Sequence, residues 1–174
     1  MITENSNPLL KTLGQNAKIS GGRRKYFITG KIIENGALPC ILVASCTNHV
    51  SLYREEVTVN SLNWLGGVRF GVWEAYVRIR HLQPLIKCEV NVESSGKAVV
   101  KFRKPVRAPC PGQIAVVYEK GGKNGEDWIV VCGGEVDEVG KNYMEMGKQI
   151  TSAPALSGSN DLSVQKFLNG NNCQ

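Results

Sequence analysis

WEAYVRIRH, Trp73 to His81, alternates along its whole length. Ala75, Val77 and Ile79 fall on one side of an extended chain, and Tyr76, Arg78 and Arg80 fall on the other. Successive strand side chains point to opposite faces, so this is the pattern of a half-buried antiparallel strand. One face meets a core. The other carries two guanidinium groups and a phenol, with His81 at the end.

The flanking segments extend the same reading. LIKCEVNVE (Leu85 to Glu93) continues the alternation and turns at Ser94-Ser95-Gly96, and KAVVKFRKPV (Lys97 to Val106) pairs back. GQIAVVYEK (Gly112 to Lys120) and DWIVVCGGEV (Asp127 to Val136) follow, separated by a turn from Gly121 to Gly125. Upstream, VTVNSLNWL (Val57 to Leu65) alternates before Gly66-Gly67. KYFITGKII (Lys25 to Ile33) and CILVAS (Cys40 to Ser45) read as a hairpin across Glu34-Asn35-Gly36. Short strands at roughly ten-residue spacing, with glycine turns, predict a small barrel or sandwich. Asn142 to Gln149 and Leu162 to Leu168 are short helix candidates. From Ile150 the Ser, Asn and Gly content predicts a flexible tail. The expected chain is mostly β. It has a lead-in over 1–10, a small central β module over 11–62, an antiparallel barrel over 63–148 and a disordered tail over 149–174. Trp64, Trp73 and Trp128 each adjoin apolar strand residues and are expected in the core.

Lys and Arg total 21 against 15 Asp and Glu, a net charge of +6 that favours polyanionic partners. The distribution is uneven. Residues 78–107 hold Arg78, Arg80, Lys87, Lys97, Lys101, Arg103, Lys104 and Arg107 against Glu89 and Glu93. Lys11, Lys18, Arg23, Arg24, Lys25 and Lys31 form a second basic block, whereas 118–146 is acidic. No apolar run is long enough to span a bilayer as a helix, so no membrane role is expected. The six cysteines include no Cys-x-x-Cys pair, and with no secretory signal at the N-terminus they read as reduced thiols. Cys88 and Cys132 lie in apolar runs and read as small core residues.

A search for catalytic chemistry finds no catalytic and no metal-ligating set. His49 and His81 are not spaced as ligands. Ser20-Gly21-Gly22 opens like a pyrophosphate loop, but Arg23-Arg24 stand where such a loop needs Asp and Ser, so it reads as a turn. Cys110 has no surroundings that would activate a thiol beyond nearby Arg107. The positive case is nucleic acid. A cationic strand face neutralises phosphates whatever their sequence, and Arg78 and Arg80 can each grip a phosphate bidentately. Tyr76 and His81 offer stacking or hydrogen bonding. Gln113, in a Pro-Gly turn, can present its amide to a sugar or phosphate oxygen. Lys101, Arg103 and Lys104 add diffuse attraction. The alternatives are a solvated basic face, a strand-end structural histidine at His81, an interaction barrel for an acidic protein partner, and an enzyme of unassigned type.

Four stretches carry a resemblance: TLGQNAKISGG (Thr12 to Gly22), NHVSLYRE (Asn48 to Glu55), VRIRHLQPLIKCEV (Val77 to Val90) and APCPGQIAVVY (Ala108 to Tyr118), with LNWL (Leu62 to Leu65) among them. In this order and spacing they resemble the C-terminal part of the tRNA-specific 2-thiouridylases, particularly the mitochondrial ones. The resemblance implies a central domain followed by a barrel similar to the second domain of elongation factor Tu. It implies tRNA as partner and a family reaction in which the C2 oxygen of the wobble uridine is adenylated and replaced by persulfide sulfur. It also implies tRNA contacts from the Arg-aromatic pair and the Pro-Gly-Gln turn, here Arg80, His81 and Gln113. Gly14-Gln15-Asn16 stands where the family has Gly-Gln-Arg, and His81 where Tyr is common. The family's Ser-Gly-Gly-x-Asp-Ser loop and catalytic cysteines lie ahead of the matched stretch, and Cys88 and Cys110 are not in their contexts. The expectation is therefore a tRNA-binding part with no cofactor of its own. ATP, the sulfur donor and catalysis would belong to a separate domain or partner, and the mitochondrion (otherwise the cytoplasm) is the expected location.

Overall fold

The computed structural model describes residues 12–17, 25–32, 40–122, 125 and 127–149. The lead-in, the Glu34-Asn35-Gly36 turn, Leu162 to Leu168 and the tail beyond Gln149 lie outside these residues. The described elements are β1 (Phe27–Ile32), β2 (Cys40–Ala44), a short 3₁₀ turn (Val50–Leu52), β3 (Tyr53–Trp64), β4 (Gly71–Arg78), β5 (Ile86–Val92), β6 (Ala98–Arg107), β7 (Ile114–Gly121) and β8 (Asp127–Val139). They fall into two compact units, divided after Tyr53 and before Asn142.

In the first unit β1 and β2 form the expected antiparallel hairpin. Residues 12–17 run along β1, with the Gly14 and Ala17 amides donating to the Ile28 and Tyr26 carbonyls. Asn142 to Gln149 is not the expected helix. The Asn142 amide donates to Glu145 Oε2 at 2.7 Å and the Glu145 amide donates to Asn142 Oδ1 at 2.9 Å, a reciprocal cap. Gly147, at φ 64°, then ends the turn, and Lys148 N donates to Tyr143 O. Both ends are capped within one turn, so nothing propagates.

The second unit, Arg54–Lys141, is a closed antiparallel barrel in the order β3-β6-β5-β4-β7-β8. The mostly β chain with an antiparallel barrel is thus observed. The barrel begins earlier than residue 63, because β3 is laddered to β8 from Val57 opposite Val139 onward. Two register shifts interrupt that ladder, and Ser61, within the second of them, holds φ 51°. Val57, Val77, Val90, Val100, Val117 and Val136 are all nearly fully buried. Branched apolar chains on alternate positions of every strand thus fill the interior, as a small barrel requires.

Cys88 and Cys132 also sit in this core, where burial pushes their thiols up to about 12 and about 11 from an ordinary 9.0. The folded state therefore keeps protons that the unfolded chain releases. Barrel stability is full below the unfolded thiol value and falls as pH rises from about 9 toward 12. Thiol labelling in mildly alkaline buffer is expected to modify exposed Cys40 first and to reach Cys88 and Cys132 only after denaturant is added.

Candidate nucleic-acid interface

β4 delivers what its alternation promised. Ala75, Val77 and Ile79 are buried, while Tyr76, Arg78 and Arg80 point away from the core and are half-buried. Because neighbouring strands alternate in direction, the end of β4 and the β6–β7 turn open on the same end of the barrel. One bond joins them: Arg80 Nη2 donates to the Ala108 carbonyl at 2.7 Å. Ala108 holds φ 52°, a left-handed conformation uncommon for a residue with a Cβ, and the guanidinium fastens it.

Burial and the like charge of Arg107 both lower the Arg80 pKa from its ordinary value. Two guanidinium groups thus crowd one rim, an arrangement that an added anion relieves. Arg78 lies one step up the same face, its guanidinium 5.8 Å from the centre of the Tyr118 ring and its Nε without a hydrogen-bond partner. His81 is exposed beside the rim.

Gln113 is in this neighbourhood but differs from expectation. Its Oε1 accepts from the Cys110 amide at 2.9 Å, and its carbonyl accepts from the Val136 amide. The side chain therefore closes its own turn, leaving the NH₂ as the end that can face a ligand.

Of the β6 cations only Arg107 is placed at this rim; Arg103 is engaged along the strand. Arg103 Nη2 lies 2.8 Å from Glu74 and 3.7 Å from Glu89, and Lys87 lies 2.8 Å from Glu74. Hydrogen bonds from Lys87 and Arg103 hold Glu74 below the usual carboxylate range. Arg103 is thus engaged by carboxylates on β4 and β5. Lys101 is exposed and sits opposite Glu89 in register, and Lys104 is exposed. The seven residues chosen from sequence therefore divide in two. Arg78, Arg80, His81 and Gln113 gather about the joined β4 end and β6–β7 turn, whereas Lys101, Arg103 and Lys104 lie along β6.

Two further residues join Tyr76 on the outward face. Trp128 is 41% exposed, and its ring meets Tyr76 edge-on with centroids 4.6 Å apart. Lys120 Nζ stands 4.1 Å over the Trp128 ring. The core placement expected for Trp128 is corrected by a bulge. Val117 pairs with Cys132 but Tyr118 pairs with Val130, so one residue of β8 is skipped and the parity beyond it reverses. Trp64 and Trp73 are half-buried and pack against the core as expected.

Residues 54–127 match the family described as the aminomethyltransferase β-barrel domain. The mitochondrial tRNA-specific 2-thiouridylase 1 of Gallus gallus is 33% identical over 116 residues, 63% of this chain and 27% of that protein. The Rattus norvegicus protein of the same name is 31% identical over 156 residues, 84% of this chain and 35% of its own length. The chain is related to the C-terminal part of the tRNA-specific 2-thiouridylases. A bacterial member, tRNA-specific 2-thiouridylase MnmA of Protochlamydia amoebophila, is 30% identical over 152 residues, 86% of this chain and 37% of that protein. The chain thus spans between about a quarter and two fifths of the length of these 2-thiouridylases.

Proposed function

We propose that this chain is the tRNA-binding part of a tRNA-uridine 2-sulfurtransferase, holding the substrate while a catalytic domain outside this stretch thiolates the wobble uridine. The observation that carries the reading is the Arg80–Ala108 bond, which joins the arginine-bearing end of β4 to the Pro-Gly-Gln turn and sets Arg80 close to Arg107. A phosphate at that rim gains charge-assisted hydrogen bonds and relieves the repulsion between the two cations. The mitochondrial relatives favour a mitochondrial setting.

In this reading adenylation and sulfur transfer belong to the catalytic domain outside this stretch. The barrel's part is to bind the tRNA backbone, to orient it through fixed guanidinium groups, and to do so without reading sequence.

Glu74 offers a test with a gain rather than a loss. Glu74→Gln removes the carboxylate that holds Lys87 and one of the two that hold Arg103, loosening two cations on the outward face. Unmodified tRNA is expected to bind about threefold tighter, with a steeper dependence on salt. Electrophoretic mobility or fluorescence anisotropy titrations at several ionic strengths measure both. Unchanged affinity together with an unchanged slope would separate this face from the RNA.

A further inference from the structure

The aromatic part of the outward face carries an inference that rests on the tRNA-binding reading and goes beyond it. Tyr76 on β4, Lys120 on β7 and Trp128 on β8 form a continuous ledge through the Tyr76–Trp128 edge contact and the Lys120–Trp128 contact. Beside it lies an open cleft of about 300 Å³ lined by Glu74, Ala75, Tyr76, Lys87, Glu119 and Lys120. Its acids are already engaged, Glu74 by Lys87 and Arg103 and Glu119 by Arg69, so an entering phosphate meets Lys120 without two bare carboxylates opposing it.

We infer that this ledge receives an unpaired nucleotide of the bound RNA, its base stacked against the Tyr76–Trp128 pair and its phosphate met by Lys120. Bases inside an A-form duplex have their faces covered by neighbouring bases, so only a base splayed from a loop, bulge or end can use a protein ring. Every base has a π-face, so the contact needs no sequence. Lys120 supplies the exchange. Its ammonium lies over the indole in the free protein. An arriving base takes that ring face, and the flexible stem carries the ammonium to the phosphate. The rim at Arg80 then holds backbone, and the ledge holds a base.

The test uses a short single-stranded RNA oligomer, unmodified tRNA and inorganic polyphosphate as probes on the full chain. Removing a stacking ring costs roughly tenfold in affinity for single-stranded nucleic acid. Trp128→Ala and Tyr76→Ala are each expected to weaken the oligomer and tRNA by about that factor, and Trp128→Phe to retain most of the binding. Polyphosphate, which has no base, should bind all three variants as it binds the parent. Melting temperatures confirm that each variant is folded. If tRNA and oligomer bind Trp128→Ala and Tyr76→Ala as tightly as the parent, the ledge is not a base site and the rim reading survives. If polyphosphate weakens as much as RNA, the rings act through charge or fold and the inference is overturned. If the parent binds no tRNA, the underlying reading falls with it.

Discussion

Arg80→Ala is expected to weaken binding of unmodified tRNA by about thirtyfold, corresponding to about 2 kcal/mol for a lost charge-assisted contact. It should also lower the slope of log affinity against log salt by about one unit. Two physical losses combine. The phosphate loses its guanidinium, and the β6–β7 turn loses the donor that fastens Ala108 in its left-handed conformation. The second loss makes the melting temperature part of the experiment. Loss of one partly buried hydrogen bond is worth about 1 kcal/mol, or about 5 °C in a barrel of this size, so the variant remains folded at assay temperature.

Arg80→Lys separates the two effects. An ammonium restores the charge and hence most of the salt slope. It cannot fork a phosphate while also bonding a carbonyl, so only part of the affinity returns. Arg103→Ala is the contrasting case. Its guanidinium already pairs with Glu74 and Glu89, so its loss should cost tRNA affinity little. Equal losses at Arg80 and Arg103 would mean that net charge alone attracts the RNA and the rim has no special place.

The largest stability effect is expected at Gly134. A Cβ there would lie 2.3 Å from the Asn60 carbonyl oxygen and 2.8 Å from a Val59 methyl. Neither can move far, because Asn60 is at the bulge by which β3 closes onto β8. Gly134→Ala is therefore expected to prise the β3–β8 seam apart and destabilise the barrel by about 3 kcal/mol, lowering its melting temperature by about 15 °C. Gly66 provides the control, since nothing lies within 4 Å of a Cβ added there. Gly66→Ala should shift stability by less than about 0.5 kcal/mol. Thermal and denaturant melts of the two variants decide the matter, and equal stability would show that the seam tolerates repacking.

What could be read without coordinates follows from how local each feature is. The β4 alternation lies within eight residues, and its buried and outward sets emerged as read. Trp128 was misplaced because a bulge in the β7–β8 ladder leaves no mark in the strand's own residues. The module boundary expected at residue 62 cuts β3, because the pairing of β3 with β8 joins residues far apart in the chain and leaves no mark in the strand's own residues. The pairing of Arg103 with Glu74 spans 29 residues and crosses β5, and the Arg80–Ala108 bond spans 28. Charge runs show that cations are plentiful in such a stretch. They do not show which cations are already paired, because that depends on strand order. Gln113 was found by its turn, but its amide oxygen is committed to the Cys110 amide three residues before it. Arg107 and Lys120 gain meaning only once the β6–β7 turn and the β8 parity are known.

The most direct measurement is a titration of this chain with unmodified tRNA across a range of salt concentrations. The account predicts saturable binding whose logarithm falls with log salt at a slope of about three or more, as Arg78, Arg80, Arg107 and the outward lysines displace counterions from phosphates. Absence of saturable binding at low salt, or an affinity that does not change with salt, would contradict it.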